Sequence, residues 1–264
     1  MTARAEEWLI EVSPGETRAA LVDGNGVLVE LRVERLGRQE IVDSIHLGRV
    51  VRVDKAMGAA FVDIGEAQPG FLGKTKTATE GEKIIVQVIR APGAGKGALL
   101  TAAPVLAGQR LALNPTRPGV HWPRDWHGDK AALAAVLERI VPEGMGLSPR
   151  QRAVDADEAV LRAEAGQLAA TWRDVAETAK AAKPPALLLP APGLGARSVR
   201  DAAGPVRIDD PQAFARLREA APPDLKAMLT LYRGQTPLFE EPGSRRRSRR
   251  RWRRLSRWRA APAW

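Results

Sequence analysis

The sequence predicts a mixed α/β protein with an all-β region set inside it. Three observations lead to that class. Short apolar segments of near period-two alternation, separated by glycine-rich turns, fill the first hundred residues. After Pro104 the composition shifts to alanine, with apolar residues at helical spacing. Beyond Pro184 and Pro185, short strands alternate with an amphipathic helix, and no internal repeat occurs.

The first element pair is Trp8 to Val12 and Arg18 to Val22 around the turn Ser13-Pro14-Gly15. The turn Asp23-Gly24-Asn25-Gly26 then leads into Val27 to Val33. This is an antiparallel three-stranded meander, too small to be stable without a partner layer. Five short strands follow, centred on 48–53, 59–64, 69–72, 83–89 and 98–101, and glycines punctuate them. Their spacing predicts a small closed Greek-key barrel of the OB type. Leu133, Val136, Leu137 and Ile140 predict a helix over 129–141, and a long alanine-rich helix follows over 157–183, stopped by the two prolines. A strand at Ala186 to Leu189, a loop, a strand at Val206 to Ile208, a helix over 211–220 and the segment 225–232 complete the body.

Charge is unevenly distributed. The 264 residues carry 41 Lys and Arg against 31 Asp and Glu, a net +10, but ten of the arginines fall in residues 242–264. The first 241 residues are therefore neutral, and only the terminal segment reads as a polyanion-binding stretch. Lacking helical periodicity, that segment is expected to be disordered. It draws on only seven residue types, all with GC-rich codons, which is the signature of a segment read out of frame; the competing reading is a selected basic arm. With no cysteine, disulfides, thiol catalysis and Cys-ligated metals are excluded. Neither a secretory leader nor a membrane span is legible, so a cytoplasmic protein is expected. The oligomeric state has no signature in the sequence.

Two constellations stand out. Phe61 and Phe71, two of only four Phe, lie on neighbouring strands of the barrel. They form either a stacking platform for bases or part of the barrel core. Between His121 and Asp129 lie two His, two Asp and two Trp, including Trp122 and Trp126. Pro123 opposes a helix that would bring His121 and His127 together, and the only further histidine is His46, so a loop that packs or contacts a polynucleotide is favoured over a metal site.

The stretch GRVVRVDKAMGAAFVDIGEAQPGFL, Gly48 to Leu72, resembles the S1-type RNA-binding domain of the ribonuclease E/G family. VSPGETRAALVDGNGVLVELRVER (Val12 to Arg35) before it resembles that family's N-terminal segment, and further blocks follow in family order: EGEKIIVQVIRAPGAGKGALLT (Glu80 to Thr101), VPEGMGL (Val141 to Leu147), AKAAKPPALL (Ala179 to Leu188) and LYRGQTPLFEE (Leu231 to Glu241). The resemblance implies a split RNase H-like subdomain formed by residues 1–37 and 183–241, with an S1-type OB barrel (38–105) and a helical 5′-sensor-like region (106–182) inserted between them. Residues 242–264 would be an Arg/Trp-rich tail.

The resemblance also assigns roles. Phe61 and Phe71 match the aromatics that contact single-stranded RNA, which turns the reading of the pair toward stacking. Lys74, Lys76 and Lys96 are the basic residues beside them, either reaching phosphates or solvated on loops. Arg150 falls on the 5′-phosphate-binding Arg of the sensor, with Gln151 where the family carries Thr. Gly119 and Val120 fall on its backbone loop. The family hydrolyses RNA with Mg²⁺ held by carboxylates of a DNase I-like subdomain after the LFEE block. Here that block is followed by the arginine-rich segment, which has no metal-binding side chain. The expectation is therefore a truncated chain that binds single-stranded RNA, with neither catalytic residue nor metal ligand of its own. A non-specific polyanion binder and a hydrolase using the His121 to Asp129 loop are the alternatives.

Overall fold

A computed structural model describes residues 6–35, 41–73, 75, 78–93 and 95–240. The arginine-rich segment 242–264, Lys74 and Lys76 lie outside the described residues. The chain divides into two compact units, Met1–Gln39 with Gly193–Trp264, and Glu40–Pro192.

In the first unit, β1 (Glu7–Ser13), β2 (Glu16–Val22) and β3 (Leu28–Arg35) form the expected meander. Asp23 holds its second turn, its Oδ1 accepting from the N–H groups of Asn25 and Val27 at 2.8 and 2.9 Å. The missing partner layer comes from far along the chain. β14 (Val206–Ile208) lies parallel to β1, with Trp8 opposite Val206, and β15 (Leu229–Leu231) lies parallel to β14. The sheet order is β15-β14-β1-β2-β3. Period-two alternation gives the sheet two apolar faces. Trp8, Ile10 and Ala19 pack with Leu194, Val199 and Ala213 of helices α3 (Leu194–Asp201) and α4 (Pro211–Ala220). On the opposite face Leu9, Ala20 and Val22 pack with Leu238 and Phe239. The loop expected after Pro190 contains α3, whose glycines and flanking prolines conceal it. The segment 225–232 resolves into the end of α5 (Pro223–Lys226) and β15.

The second unit contains the barrel. β4 (Ile45–Asp54), β5 (Ala59–Asp63), β6 (Gly70–Leu72), β8 (Leu99–Thr101) and β7 (Lys83–Arg90) are paired in that order, and β7 pairs back to β4 to close the cylinder. The protein is thus mixed α/β with a closed five-stranded barrel of OB-like order. Val50, Ala60, Val62, Leu72, Val86, Val88 and Leu100 fill it. Ala186–Leu189, which the resemblance groups with the later segment, forms β13 and pairs antiparallel with the first residues of β4. Leu188 and Leu189 drive this pairing, since both pack in the same core as Ile45.

After the barrel comes a small sheet that the composition does not announce: β9 (Leu106–Ala107), β10 (Leu111–Asn114), β11 (Gly119–Val120) and β12 (Gly146–Pro149), in the order β11-β12-β10-β9. Two helices cover it. Helix α1 (Lys130–Ile140) is capped by Asp129, whose Oδ1 accepts from the Ala131 N–H at 2.8 Å, and it buries Leu133, Leu137 and Ile140. Helix α2 (Glu158–Ala181) buries Leu161, Ala165, Ala169 and Val175. Among the described residues no helix is long and apolar enough to cross a membrane.

Gly97 sits where a Cβ would lie 1.9 Å from the Pro69 carbonyl oxygen, so β8 can approach the start of β6 only without a side chain there. Gly166, by contrast, is exposed within α2, and nothing lies within 4 Å of its would-be Cβ. We expect Gly97→Ala to lower the unfolding free energy by about 1 to 3 kcal/mol. Gly166→Ala is expected to raise it by about 0.5 to 1 kcal/mol. Urea denaturation of the two variants checks both signs.

Candidate nucleic-acid interface

Alternation on β5 and β6 decides where the two phenylalanines point. Ala60, Val62 and Leu72 are buried in the barrel, so Phe61 and Phe71 between them face outward, and both are partly exposed. They are direct cross-strand partners, with ring centroids 5.9 Å apart and planes at 74°. That edge-to-face geometry contributes about 0.5 to 1.5 kcal/mol beyond burial and fixes the two rings as a unit. The Arg52 guanidinium lies 4.1 Å from the Phe61 ring centroid. Sequence reasoning missed Arg52, because strict alternation from Val50 would turn it inward. A β-bulge between Val50 and Arg52 resets the phase and brings Arg52 opposite Phe61. Aromatic rings flanked by an unburied guanidinium can stack unpaired bases and meet the phosphates beside them. Lys96 is exposed on the loop between β7 and β8.

In the small sheet, β12 runs into Arg150. The Arg150 main-chain N–H donates to the Arg110 carbonyl at 2.7 Å, and its Nη1 donates to the Gly108 carbonyl at 2.6 Å. Those carbonyls belong to a loop fixed by Glu164 of α2. Glu164 Oε1 accepts from the N–H groups of Gln109, Arg110 and Leu111 at 2.6, 2.9 and 3.2 Å. A Cβ on Gly108 would fall 2.2 Å from that oxygen. The three-amide cradle is thus already filled by an internal carboxylate, and it orients the carbonyl that holds Arg150.

Gly119 and Val120 sit across β12 from this loop. The Gly119 N–H donates to the Met145 carbonyl at 3.1 Å and the His121 N–H to the Leu147 carbonyl at 2.8 Å, so both are used within the sheet. Val120, between them on the edge strand, turns its N–H outward. Gln151 does not substitute for a hydroxyl: its carboxamide Nε2 donates to the His127 carbonyl at 2.5 Å, and its Oε1 accepts from the His127 N–H at 3.4 Å. It ties down the loop 121–129.

That loop packs. Trp126 is only 9% exposed and belongs to the core of the second unit, with Trp122 edge-on to it at 5.2 Å. His121 Nε2 donates to the Arg117 carbonyl at 3.0 Å. The remaining histidine, His46, is buried with its Nε2 2.9 Å from Ser44 Oγ, and burial holds its pKa below the usual imidazole value.

The Mg²⁺ implied by the resemblance does not fit the described residues. No group of three or more His, Cys, Asp or Glu among them is arranged to hold a metal ion. Of the carboxylates on adjoining strands, Glu11 is ion-paired with Arg18. Asp209 Oδ1 accepts from the Val12 N–H at 2.8 Å, and burial raises the Asp209 pKa above the usual carboxylate value.

The Glu164 cradle makes a distinct prediction. Glu164→Ala strands three amides and is expected to cost about 1 to 3 kcal/mol of stability, while Glu164→Gln, which keeps an acceptor oxygen, costs less. Hydrogen exchange should show the Gln109, Arg110 and Leu111 amides losing protection in the alanine variant; unchanged protection there would refute the cradle.

Comparison with known proteins assigns the chain a family. Residues 106–254 match the sequence profile of the Ribonuclease E/G family. Ribonuclease G of Haemophilus influenzae is 33% identical over 268 residues, covering 89% of this chain and 54% of the relative. Ribonuclease G of Escherichia coli K12 is 30% identical over 266 residues, with the same two coverages of 89% and 54%. Ribonuclease E of H. influenzae is 30% identical over 256 residues, 85% of this chain and 27% of that protein. The chain spans about half the length of the ribonuclease G relatives it matches. With a matching profile over more than half its residues, and relatives of the same kind over most of its length, this chain belongs to the ribonuclease E/G family.

Proposed function

We propose that this chain holds single-stranded RNA on the barrel face that carries Arg52, Phe61 and Phe71, and that it does not cleave the strand by itself. The observation that carries the reading is the outward pair of rings in register, one of them under a guanidinium. Stacking tolerates any base, so the surface grips unpaired RNA with little sequence preference, and a duplex, whose base faces are covered, binds poorly. Lys96 adds charge at the edge of this face, and Lys74 and Lys76 belong to the same reading. A 5′-terminal phosphate belongs to the same reading, with Arg150, Gly119 and Val120 as the residues that would meet it: a guanidinium and a main-chain donor each suit its oxygens. With Gln151 occupied by His127, no side-chain hydroxyl joins them from that position.

The finer architecture is part of the same proposal. A split RNase H-like subdomain made by residues 1–37 and the part of 183–241 that follows β13 is supported by the order β15-β14-β1-β2-β3, three antiparallel strands continued by two parallel ones. The 5′-sensor-like region corresponds to the small sheet with α1 and α2. That the chain binds without cutting rests on the segment after Glu241, whose residues include no Asp, Glu, His, Asn or Gln to hold a cation.

Titration of the full chain with a labelled oligouridylate, at about 0.5 M salt to screen the arginine-rich segment, tests the binding. Phe61→Ala and Phe71→Ala are each expected to weaken it by about 1 to 3 kcal/mol. Undiminished affinity in the folded double variant would sink the assignment of the barrel face. Incubated with Mg²⁺ and a 5′-monophosphorylated single-stranded RNA, the protein is expected to give no product beyond a buffer control. Metal-dependent products that persist through removal of contaminating nucleases would contradict that half of the proposal.

A further inference from the structure

Strand register extends the aromatic pair in both directions. Phe71 is paired with Leu99 on β8, and Leu99 with Arg90 on β7; on the other side Phe61 is paired with Arg52 on β4. Paired residues face the same side of a sheet. The neighbours of the three central members, Ala60 and Val62, Gly70 and Leu72, Ala98 and Leu100, are all buried, so the whole row faces outward.

The two end members reach the row by the same device. β4 carries an irregularity between Val50 and Arg52, and β7 one between Val88 and Arg90. In each, the residue before the bulge is buried in the barrel, and simple alternation would send the arginine inward after it. The extra residue, Val51 or Ile89, shifts the phase and delivers the arginine outward, opposite Phe61 or Leu99. Both extra residues are left exposed, at 45% and 49%, so neither bulge serves the core. Among the described residues neither Arg52 nor Arg90 is in an ion pair, and both are exposed.

We propose that Arg52, Phe61, Phe71, Leu99 and Arg90 form one continuous RNA-binding row, neutral in the middle and closed at each end by an arginine that holds a backbone phosphate. This rests on the RNA-binding reading of the barrel face and adds to it a footprint and two charged ends. Four inter-strand steps of about 4.8 Å make the row roughly 19 Å long at the Cα level. That length suits about four nucleotides, the lower end of the site sizes of such barrels. Because barrel strands tilt against the axis, a row perpendicular to them climbs one side of the barrel, where a single extended strand can follow it.

The full chain and its Arg52→Gln, Arg90→Gln, Arg90→Lys and Phe71→Ala variants are titrated with fluorescein-labelled oligouridylates of about two to eight nucleotides over a series of salt concentrations. Removing one arginine–phosphate pairing lowers the slope of log K against log salt by about 0.7 for a single strand. Arg52→Gln and Arg90→Gln should each show about that decrease, and Arg90→Lys should retain the parental slope. Phe71→Ala should weaken binding at every salt concentration with the slope unchanged. Arg90→Gln should also shorten, by about one nucleotide, the length at which affinity levels off. The segment 242–264 contributes equally to every variant, so the differences remain interpretable. If Arg90→Gln keeps the parental slope and length dependence while Phe71→Ala weakens binding, the row is wrong and the RNA-binding reading stands. If none of the substitutions changes binding, both fall.

Discussion

The parallel pairing of β1 with β14 ties Trp8 to Val206, and the first unit depends on it. Without β14 the meander has an open edge beside its most deeply buried strand, and Trp8, Leu9 and Ile10, all at most 2% exposed, would lose that neighbour. Side chains reinforce the ladder: Arg207 donates to both carboxylate oxygens of Glu7 at 2.7 and 3.1 Å, and the Val12 N–H donates to Asp209. Such a fork adds geometric specificity, which helps two segments almost 200 residues apart select each other. Whatever lies between them must bury its own core, and the second unit does so with two, one inside the barrel and one between the small sheet and its helices.

Within the second unit the same principle of strand alternation has two outcomes. Inward residues of the barrel are aliphatic, mostly Val and Ala with Leu72 and Leu100, which suits the narrow interior of five strands, and the large rings are left for the outside. Where alternation is kept, on β5 and β6, it exposes Phe61 and Phe71; where a bulge breaks it, on β4, it exposes Arg52. Electrostatics follows from this placement. The first 241 residues carry no net charge, so local cation density on the barrel comes from where the backbone turns each arginine and not from composition.

How much of this is legible in the sequence depends on the range of the interaction that shapes each element. Strands β1 to β3 and the five barrel strands show their alternation and their turns locally, and the two long helices show theirs. Strands β9 to β12 have only two to four residues each, too short for any period to emerge. Helix α3 is hidden by Gly193, Gly195 and nearby prolines, and what makes it a helix is the burial of Leu194 and Val199 against the sheet. The site divides the same way. Phe61 and Phe71 are visible as a pair, but position along the chain does not say which way they face. Arg52 escapes notice because a bulge is a property of two strands together. Gln151 and Glu164 have partners 24 and more than 50 residues away, chosen by tertiary packing alone.

The split of the first unit also sets an order of events on the ribosome. Synthesis delivers β1 to β3 first, but their completing strands emerge only with residues 206–231. The second unit is complete once β13 has emerged, at Leu189, so all of its strands and helices are present while the first is still waiting. During that interval the meander offers Trp8, Leu9 and Ile10 beside an unpaired strand, an invitation to the wrong partner. The closed barrel has no such edge, and so the part of the chain made in the middle is the part best placed to be finished first.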